Sequence, residues 1–386
     1  MKIPFHRPDL PQDLNEIYTD SIRNGWLTTG SQVEKFEYSL KEFFGSKHVI
    51  AVNSCTAALH LGMLAKGFKP GDKFIVPTHT FVSTVECGEY LGMEPIFVDC
   101  QKDGFNLDLN QVEDLIKKDP EIKAIVPVHY GGIPVDMKQL MKMSEKSNIY
   151  ILEDSAHALE TISSAGKVGN TNHAAAFSFY ANKNLTTFGE GGALATNDSD
   201  LAKKVKNLSL HGITKDGWKR FEANAKWEYD IINLGYKYNM SDISASYGIW
   251  QLKQINDWHR KRTRIAKTYI NELKNIDGIV CPKADTYDGN AWHLFVIQID
   301  RSKWNISRNK IIELLNDKGI GLSVHYKPIH MLDYYQKKFG YKPSDFPRSK
   351  SLFESVISIP LYPNLTEEET SYIIDSIREL AHLHLN

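Results

Sequence analysis

The chain has 386 residues, 42% hydrophobic and 24% charged, with 46 basic and 47 acidic side chains. That length exceeds one ordinary hydrophobic core and predicts about two domains. The net charge of −1 excludes an electrostatic footprint for nucleic acid or an anionic membrane, and no apolar run approaches membrane-spanning length. Four cysteines, Cys55, Cys87, Cys100 and Cys281, form no CxxC pair, so reduced thiols in a cytoplasmic protein are the simplest account. The start MKIPFHRPDLPQDL carries no apolar signal-peptide core.

Residues 1–30 read as an arm. A proline-rich polar start is followed by helical spacing over 16–24 and by the turn Gly25-Trp26-Leu27-Thr28-Thr29-Gly30. That turn suits either a polar pocket or an ordinary helix end. Residues 32–44 are amphipathic, and from there strands and helices alternate. Short unbroken apolar runs at 48–52, 73–77, 95–99, 123–129, 149–153, 174–179 and 192–196 predict a buried, mostly parallel sheet of about seven strands. Helical segments at 56–66, 80–91, 109–118 and 137–146 separate the earlier strands, the pattern of an α/β fold. A helix over 201–210 leads to a polar, aromatic stretch over 211–230, with Trp218 and Tyr229, that reads as a long loop. After Gly235-Tyr236-Lys237-Tyr238-Asn239-Met240 comes a helix over 243–255. The basic run over 256–264 carries the chain into a smaller α+β unit. Its helices are predicted to end at 273 and to span 308–318 and 367–383, its strands at 291–299, 321–326 and 356–359. The division is therefore an arm at 1–30, a large domain at 31–255 and a small domain at 256–386.

Four strand ends carry candidate chemistry, as expected where α/β sheets bind ligands at the C-terminal ends of their strands. Asn53-Ser54-Cys55-Thr56 joins a strand to a helix, and the N–H groups at a helix start suit a phosphate, although capping is the commoner use. Phe81 follows the next strand, placed to stack on a planar ring or to join the core. Asp154 closes a buried strand, where an acid is costly unless paired. A pyridinium nitrogen would pair it, and His157 stands three residues on, within reach of a ring hydroxyl; a plain helix cap is the alternative. Lys183 lies in FSFYANKNLTTFGEGG, in the loop after the strand ending near Ser178. A lysine there, facing an acid, suits a Schiff base with pyridoxal 5′-phosphate (PLP), against the alternative of a solvated loop lysine. The order of phosphate turn, aromatic, acid and lysine is more specific than any one member. GEGG lacks the third glycine and the following helix of a dinucleotide fingerprint, which disfavours a nicotinamide-dependent reductase. No P-loop, HExxH or metal-spaced Cys/His cluster occurs. His325-Tyr326-Lys327-Pro328-Ile329-His330 is balanced between substrate contact and plain surface.

Over nearly its whole length the chain resembles the PLP-dependent sugar-nucleotide aminotransferases, the DegT–StrS group of the type I aspartate-aminotransferase fold. The matching stretches include GWLTTG, AVNSCTAALHL, PTHTFVST, EDSAHAL, FSFYANKNLTT, GYKYNMSDI and VHYKPIH. The resemblance implies that Lys183 carries the cofactor, Asp154 holds its ring nitrogen, His157 lies near the ring hydroxyl and Phe81 stacks on the ring. It assigns the phosphate to the amides of Thr56 and Ala57 and the hydroxyl of Ser178. It further implies a homodimer with the site at the interface, so that Lys237 or Asn239 reaches the partner's phosphate. Thr28, Thr29, His325, Tyr326 and His330 would lie near a sugar nucleotide. The likeness is greatest to enzymes that aminate C4 of UDP-4-keto sugars with L-glutamate. C3 amination, a GDP- or dTDP-sugar, and a non-catalytic protein on the same fold are the alternatives. Many members read NxR where this chain has Lys237 and Asn239. Phe188 is an extra residue before GEGG, and Lys183 separates the chain from dehydratase relatives with histidine there.

Overall fold

A computed structural model describes residues 1–15, 17–18, 25–213, 229–283 and 289–385. Most of the helix predicted over 16–24 and most of the loop predicted over 211–230, Trp218 included, lie outside the described residues. The first helix, α1, spans Ser31–Phe44, followed by β1 (His48–Val52) and α2 (Cys55–Lys66). Next come β2 (Lys73–Pro77), α3 (Ser83–Glu89), β3 (Glu94–Val98), α4 (Leu109–Lys118) and β4 (Ile122–Ile125). Then follow α5 (Met137–Ser147), β5 (Tyr150–Asp154), the small hairpin β6 (Ile162–Ser163) and β7 (Gly166–Lys167), and β8 (Ala174–Ser178) and β9 (Gly192–Thr196).

Seven of these strands form one sheet in the order β1-β9-β8-β5-β4-β2-β3. Its pairings from β8 to β3 are parallel, and β9 runs antiparallel to both neighbours. The strands are buried because helices cover both faces. Leu152, Ala174 and Ala176 pack with α2, whereas Ile125 and Ile151 pack with α4 and α5. The alternation of strand side chains makes this division.

After α6 (Ser199–Ser209), helix α7 runs unbroken over Asp242–Leu273. It passes straight through the basic run that the sequence marks as a crossing point. The C-terminal unit holds β10 (Ile279–Val280), β11 (Phe295–Ile299), α8 (Arg308–Asp317), α9 (Asp333–Phe339), α10 (Pro347–Ser355), β12 (Val356–Ile359) and α11 (Glu367–His384). Its core gathers Ile297, Ile311, Ile357 and Ile377, with Ile3 of the arm packed among them. The arm is fixed there by Ile3 N–H to Gly319 O and by Gly321 N–H to Ile3 O, both 2.8 Å.

In the C-terminal unit, two predicted strands are shorter than their apolar patterns. The stretch before Phe295 is not strand, because the N–H groups of Ala291, His293 and Leu294 are bonded to the Gly131–Gly132 carbonyls. The strand predicted at 321–326 reduces to one bridge, Ser323 to Ser358. Gly321 N–H is spent on Ile3, and Pro360 has no N–H to offer. Among the described residues, no helix is long and apolar enough to cross a membrane and no acidic, histidine or cysteine cluster could hold a metal ion.

Candidate active site

The ends of β1, β2, β5 and β8 meet over one cavity of about 440 Å³, a volume in the range of small-ligand pockets. Lys183 and Asp154 both face it. Lys183 sits in a braced loop: its N–H bonds Tyr180 O at 2.9 Å, and Thr187 N–H bonds back to Phe179 O at 3.1 Å. Asn184 is tied to Glu160 at 2.8 Å and to His293 Nδ1 at 3.1 Å. Burial pushes the Lys183 amine down to about 8, against the pull of Cys55 and Asp154. A fraction of it is therefore unprotonated near neutral pH, as a nucleophile or general base requires.

Asp154 and its neighbour Glu153 show how strand alternation sorts two acids. Glu153, fully buried, meets His129 Nε2 at 3.0 Å and Thr171 Oγ1 at 3.4 Å. Asp154, 4% exposed, accepts from Thr84 Oγ1 at 2.7 Å and Ala156 N–H at 3.1 Å, with the cavity in front of it. Burial raises its carboxyl above the usual range despite those two donors. A cationic N–H donor in the cavity is what this carboxylate lacks, and a protonated pyridine nitrogen fits that need.

The turn after β1 supplies the opposite polarity. Ser54 caps α2, its Oγ accepting from Ala57 N–H at 3.1 Å. That bond engages the Ala57 amide within the turn, and Ala57 is not on the cavity wall. Cys55 and Thr56 are on the wall, so their N–H groups remain the donors at this helix start. Ser178, at the end of β8, adds a hydroxyl to the same wall. Glycine is required beside this turn. A Cβ on Gly192 would stand 2.4 Å from the Ser54 carbonyl carbon, and one on Gly191 would stand 1.9 Å from Thr187 Oγ1. The GEGG stretch thus lets β9 pass directly under the turn that follows β1.

Phe81, 56% exposed, borders the cavity with its ring 5.9 Å from that of Tyr326. His157, His325 and Tyr326 complete the wall. Burial drives His157 well below its ordinary range and His325 down to about 4. His330 stands elsewhere: it is fully buried, with Nδ1 2.7 Å from Thr78 Oγ1. Thr28, Thr29, Lys237 and Asn239 also lie off this wall. They hold one another, Asn239 Nδ2 to Thr29 Oγ1 at 2.7 Å and Lys237 Nζ to Asn239 Oδ1 at 2.5 Å, while Asp242 N–H bonds Thr28 O.

Sequence reading passed over several wall and support residues. Thr80 and Thr84, 2.7 Å apart, pass a hydroxyl relay to Asp154. Their four-residue spacing in PTHTFVST was the available signal. The His293 ring lies 4.4 Å from that of His157, tilted by 36°, and nothing in AWHLFVI announces that contact. A carboxylate, a lysine of lowered pKa, a helix start and a hydroxyl around one cavity are the set that PLP requires.

Comparison with known proteins agrees. The sequence profile of the DegT/DnrJ/EryC1/StrS aminotransferase family matches residues 8–378. The chain is 39% identical over 380 residues to the spore coat polysaccharide biosynthesis protein SpsC of Bacillus subtilis (strain 168), covering 98% of this chain and 97% of that one. Its fold superposes on the PLP form of the putative sugar aminotransferase Spr1654 from Streptococcus pneumoniae with a TM-score of 0.90 and 31% identity, over 99% of each chain. It matches Helicobacter pylori PseC, an aminotransferase involved in the biosynthesis of pseudoaminic acid, with a TM-score of 0.90 and 29% identity, over 99% of this chain and 100% of that one. The chain belongs to the DegT/DnrJ/EryC1/StrS aminotransferase family.

Proposed function

We propose that this aminotransferase uses PLP to move the amino group of L-glutamate to C4 of a nucleotide-linked 4-keto sugar, UDP-linked, for cell-surface glycan or lipopolysaccharide precursors. The observation that carries the chemistry is the shared cavity of Lys183 and Asp154, with a helix start on the same wall. The C4 and UDP reading is supported by the motif resemblance, and the glycan setting by the likeness to a polysaccharide biosynthesis protein.

When bound, PLP supplies a ring that accepts electrons from the carbon bearing the amine. Asp154 would hold a proton on the ring nitrogen. The Cys55 and Thr56 amides with the Ser178 hydroxyl would hold the phosphate, and Phe81 would cover a ring face. Lys183 Nζ, with a pKa near 8, takes the proton from Cα of glutamate and later delivers one to C4 of the sugar. The two half-reactions share the cavity in turn, a ping-pong order.

The assembly proposed is a homodimer with the site at the interface, in a cytoplasmic setting, the chain dividing at 1–30, 31–255 and 256–386. Exposed apolar side chains near the Lys237–Asn239 segment support the dimer: Leu234 is 89% exposed, and Ile231 and Ile232 are more than half exposed. The test is mass spectrometry of products after incubation with ¹⁵N-glutamate and a panel of keto-sugar nucleotides. The reading expects label at C4 of a UDP-sugar. Label at C3, or only on a GDP- or dTDP-sugar, overturns the substrate assignment; no label with any sugar overturns the proposed reaction.

A further inference from the structure

A second, smaller chamber lies beside the Lys183 loop, with room of about 20 Å³. Its wall shares Asn182, Lys183 and His293 with the larger cavity. Four segments meet there: the arm through His6, the Lys183 loop through Asn182, α7 through Arg262 and the turn after β12 through Tyr362.

The polar groups of this chamber are only partly spent. Arg262, 1% exposed, gives one nitrogen to Glu160, but its Nε and Nη1 have no hydrogen-bond partner. His6 Nε2, Asn182 Oδ1 and Tyr362 Oη are also buried without a partner. Burial and the Arg262 guanidinium lower His6 to about 4, so its ring is neutral at pH 7. The same ring bonds the Ala181 backbone in a way that favours a protonated nitrogen. With Nε2 unpartnered, that bond runs from Nδ1–H to the carbonyl, and Nε2 is a bare acceptor.

The chamber therefore presents two N–H donors on Arg262 and two acceptors, His6 Nε2 and Asn182 Oδ1. Buried polar atoms left unmatched are costly, and a small ligand that satisfies them removes the cost. The room suits one water, which needs roughly 10–15 Å³. Charge selects the same ligand. Glu160 already balances Arg262, two bare acceptors repel an anion, and the guanidinium repels a cation. A water accepts two hydrogen bonds and donates two, matching the set. The Tyr362 hydroxyl can give or accept beside it.

We propose that Arg262, His6 and Asn182 build a site for one resident water, and that this water joins the arm and α7 to Asn182 as a positioning link for the adjoining Lys183. The arm is itself held to the small domain by Ile3 and by the Arg7–Glu369 ion pair at 2.8 Å. The water thus ties the Lys183 loop to that domain. The inference is independent of the PLP reading.

The test combines a high-resolution crystal structure of the full chain with amide hydrogen exchange, with and without PLP. The structure should show one ordered water within hydrogen-bond distance of Arg262, His6 Nε2 and Asn182 Oδ1. Asn182→Leu removes the loop's acceptor at similar size and leaves the His6–Ala181 bond in place. It should lose the water and speed exchange of the Lys183 and Thr187 amides about fivefold. Asn182→Asp keeps an acceptor oxygen and should exchange as wild type does. A dry chamber or a bound anion in the wild-type crystal overturns the site. Unmoved exchange in Asn182→Leu, or equal acceleration in Asn182→Asp, overturns the positioning link.

Discussion

Two buried acid–base couples border the Lys183 loop, and they are built oppositely. Glu160 and Arg262 are in direct contact, both buried, and Asn184 also holds Glu160. Asp154 and Lys183 sense each other electrostatically, but no hydrogen bond joins them and a cavity of about 440 Å³ opens in front of both. The closed couple has spent its charge on the protein. The open couple keeps a carboxylate of raised pKa and an amine of lowered pKa, the signature of a functional site. Burial alone does not mark function; burial without a partner does.

The largest effect expected from breaking the open couple is at Lys183. Lys183→Ala should leave non-covalent cofactor binding in place and reduce turnover by at least about 10³-fold, measured by amine transfer from labelled glutamate. Retained activity would place the proton traffic elsewhere. Breaking the closed couple should act on folding instead. Arg262→Met strands Glu160 and should cost about 3–5 kcal/mol of stability in urea unfolding, with cofactor uptake preserved where the variant is folded. A stable variant that has lost uptake would place Arg262 in the cofactor site instead.

Asp154→Asn keeps the shape and removes the charge. A loss of about 10²–10³-fold in kcat is expected, with the cofactor still bound. The mildest probe is pH. Loading of cofactor-free protein needs the unprotonated Lys183 amine, so its rate should rise with pH and level off above about 8. Stability carries the same sign. The folded pKa near 8 lies below the ordinary 10.5, so the unfolded chain binds more protons between those values. The stability of cofactor-free protein should therefore gain as pH rises through that window. A loading profile still climbing at pH 10 would mean that the amine is not desolvated.

The sheet was legible in the sequence because each strand is a short apolar run bounded by polar turns. Its seven strands and the residues at their ends stand where those runs predict. Asp154, Lys183, Thr56 and Ser178 could be read because each follows its strand by position in the chain. What could not be read depends on contacts between distant segments. The bond from Gly131 to His157 joins the ends of two strands. His325 and His330 stand five residues apart with the same chemistry, yet one lines the cavity and the other is spent on Thr78. The apolar pattern over 321–326 promised a strand, but its hydrogen bonds go to the N-terminal arm and to a single bridge. The close passage of Gly192 under the Ser54–Thr56 turn is equally invisible to local pattern.

The central claim is that the open couple holds one cofactor, with its aldehyde at Lys183 and its ring nitrogen at Asp154. The direct measurement is to incubate the protein with PLP, reduce with borohydride and map the modified peptide by mass spectrometry. The account predicts one phosphopyridoxyl group per chain, on Lys183. A label on another lysine, or none above the level of an unfolded control, would contradict it.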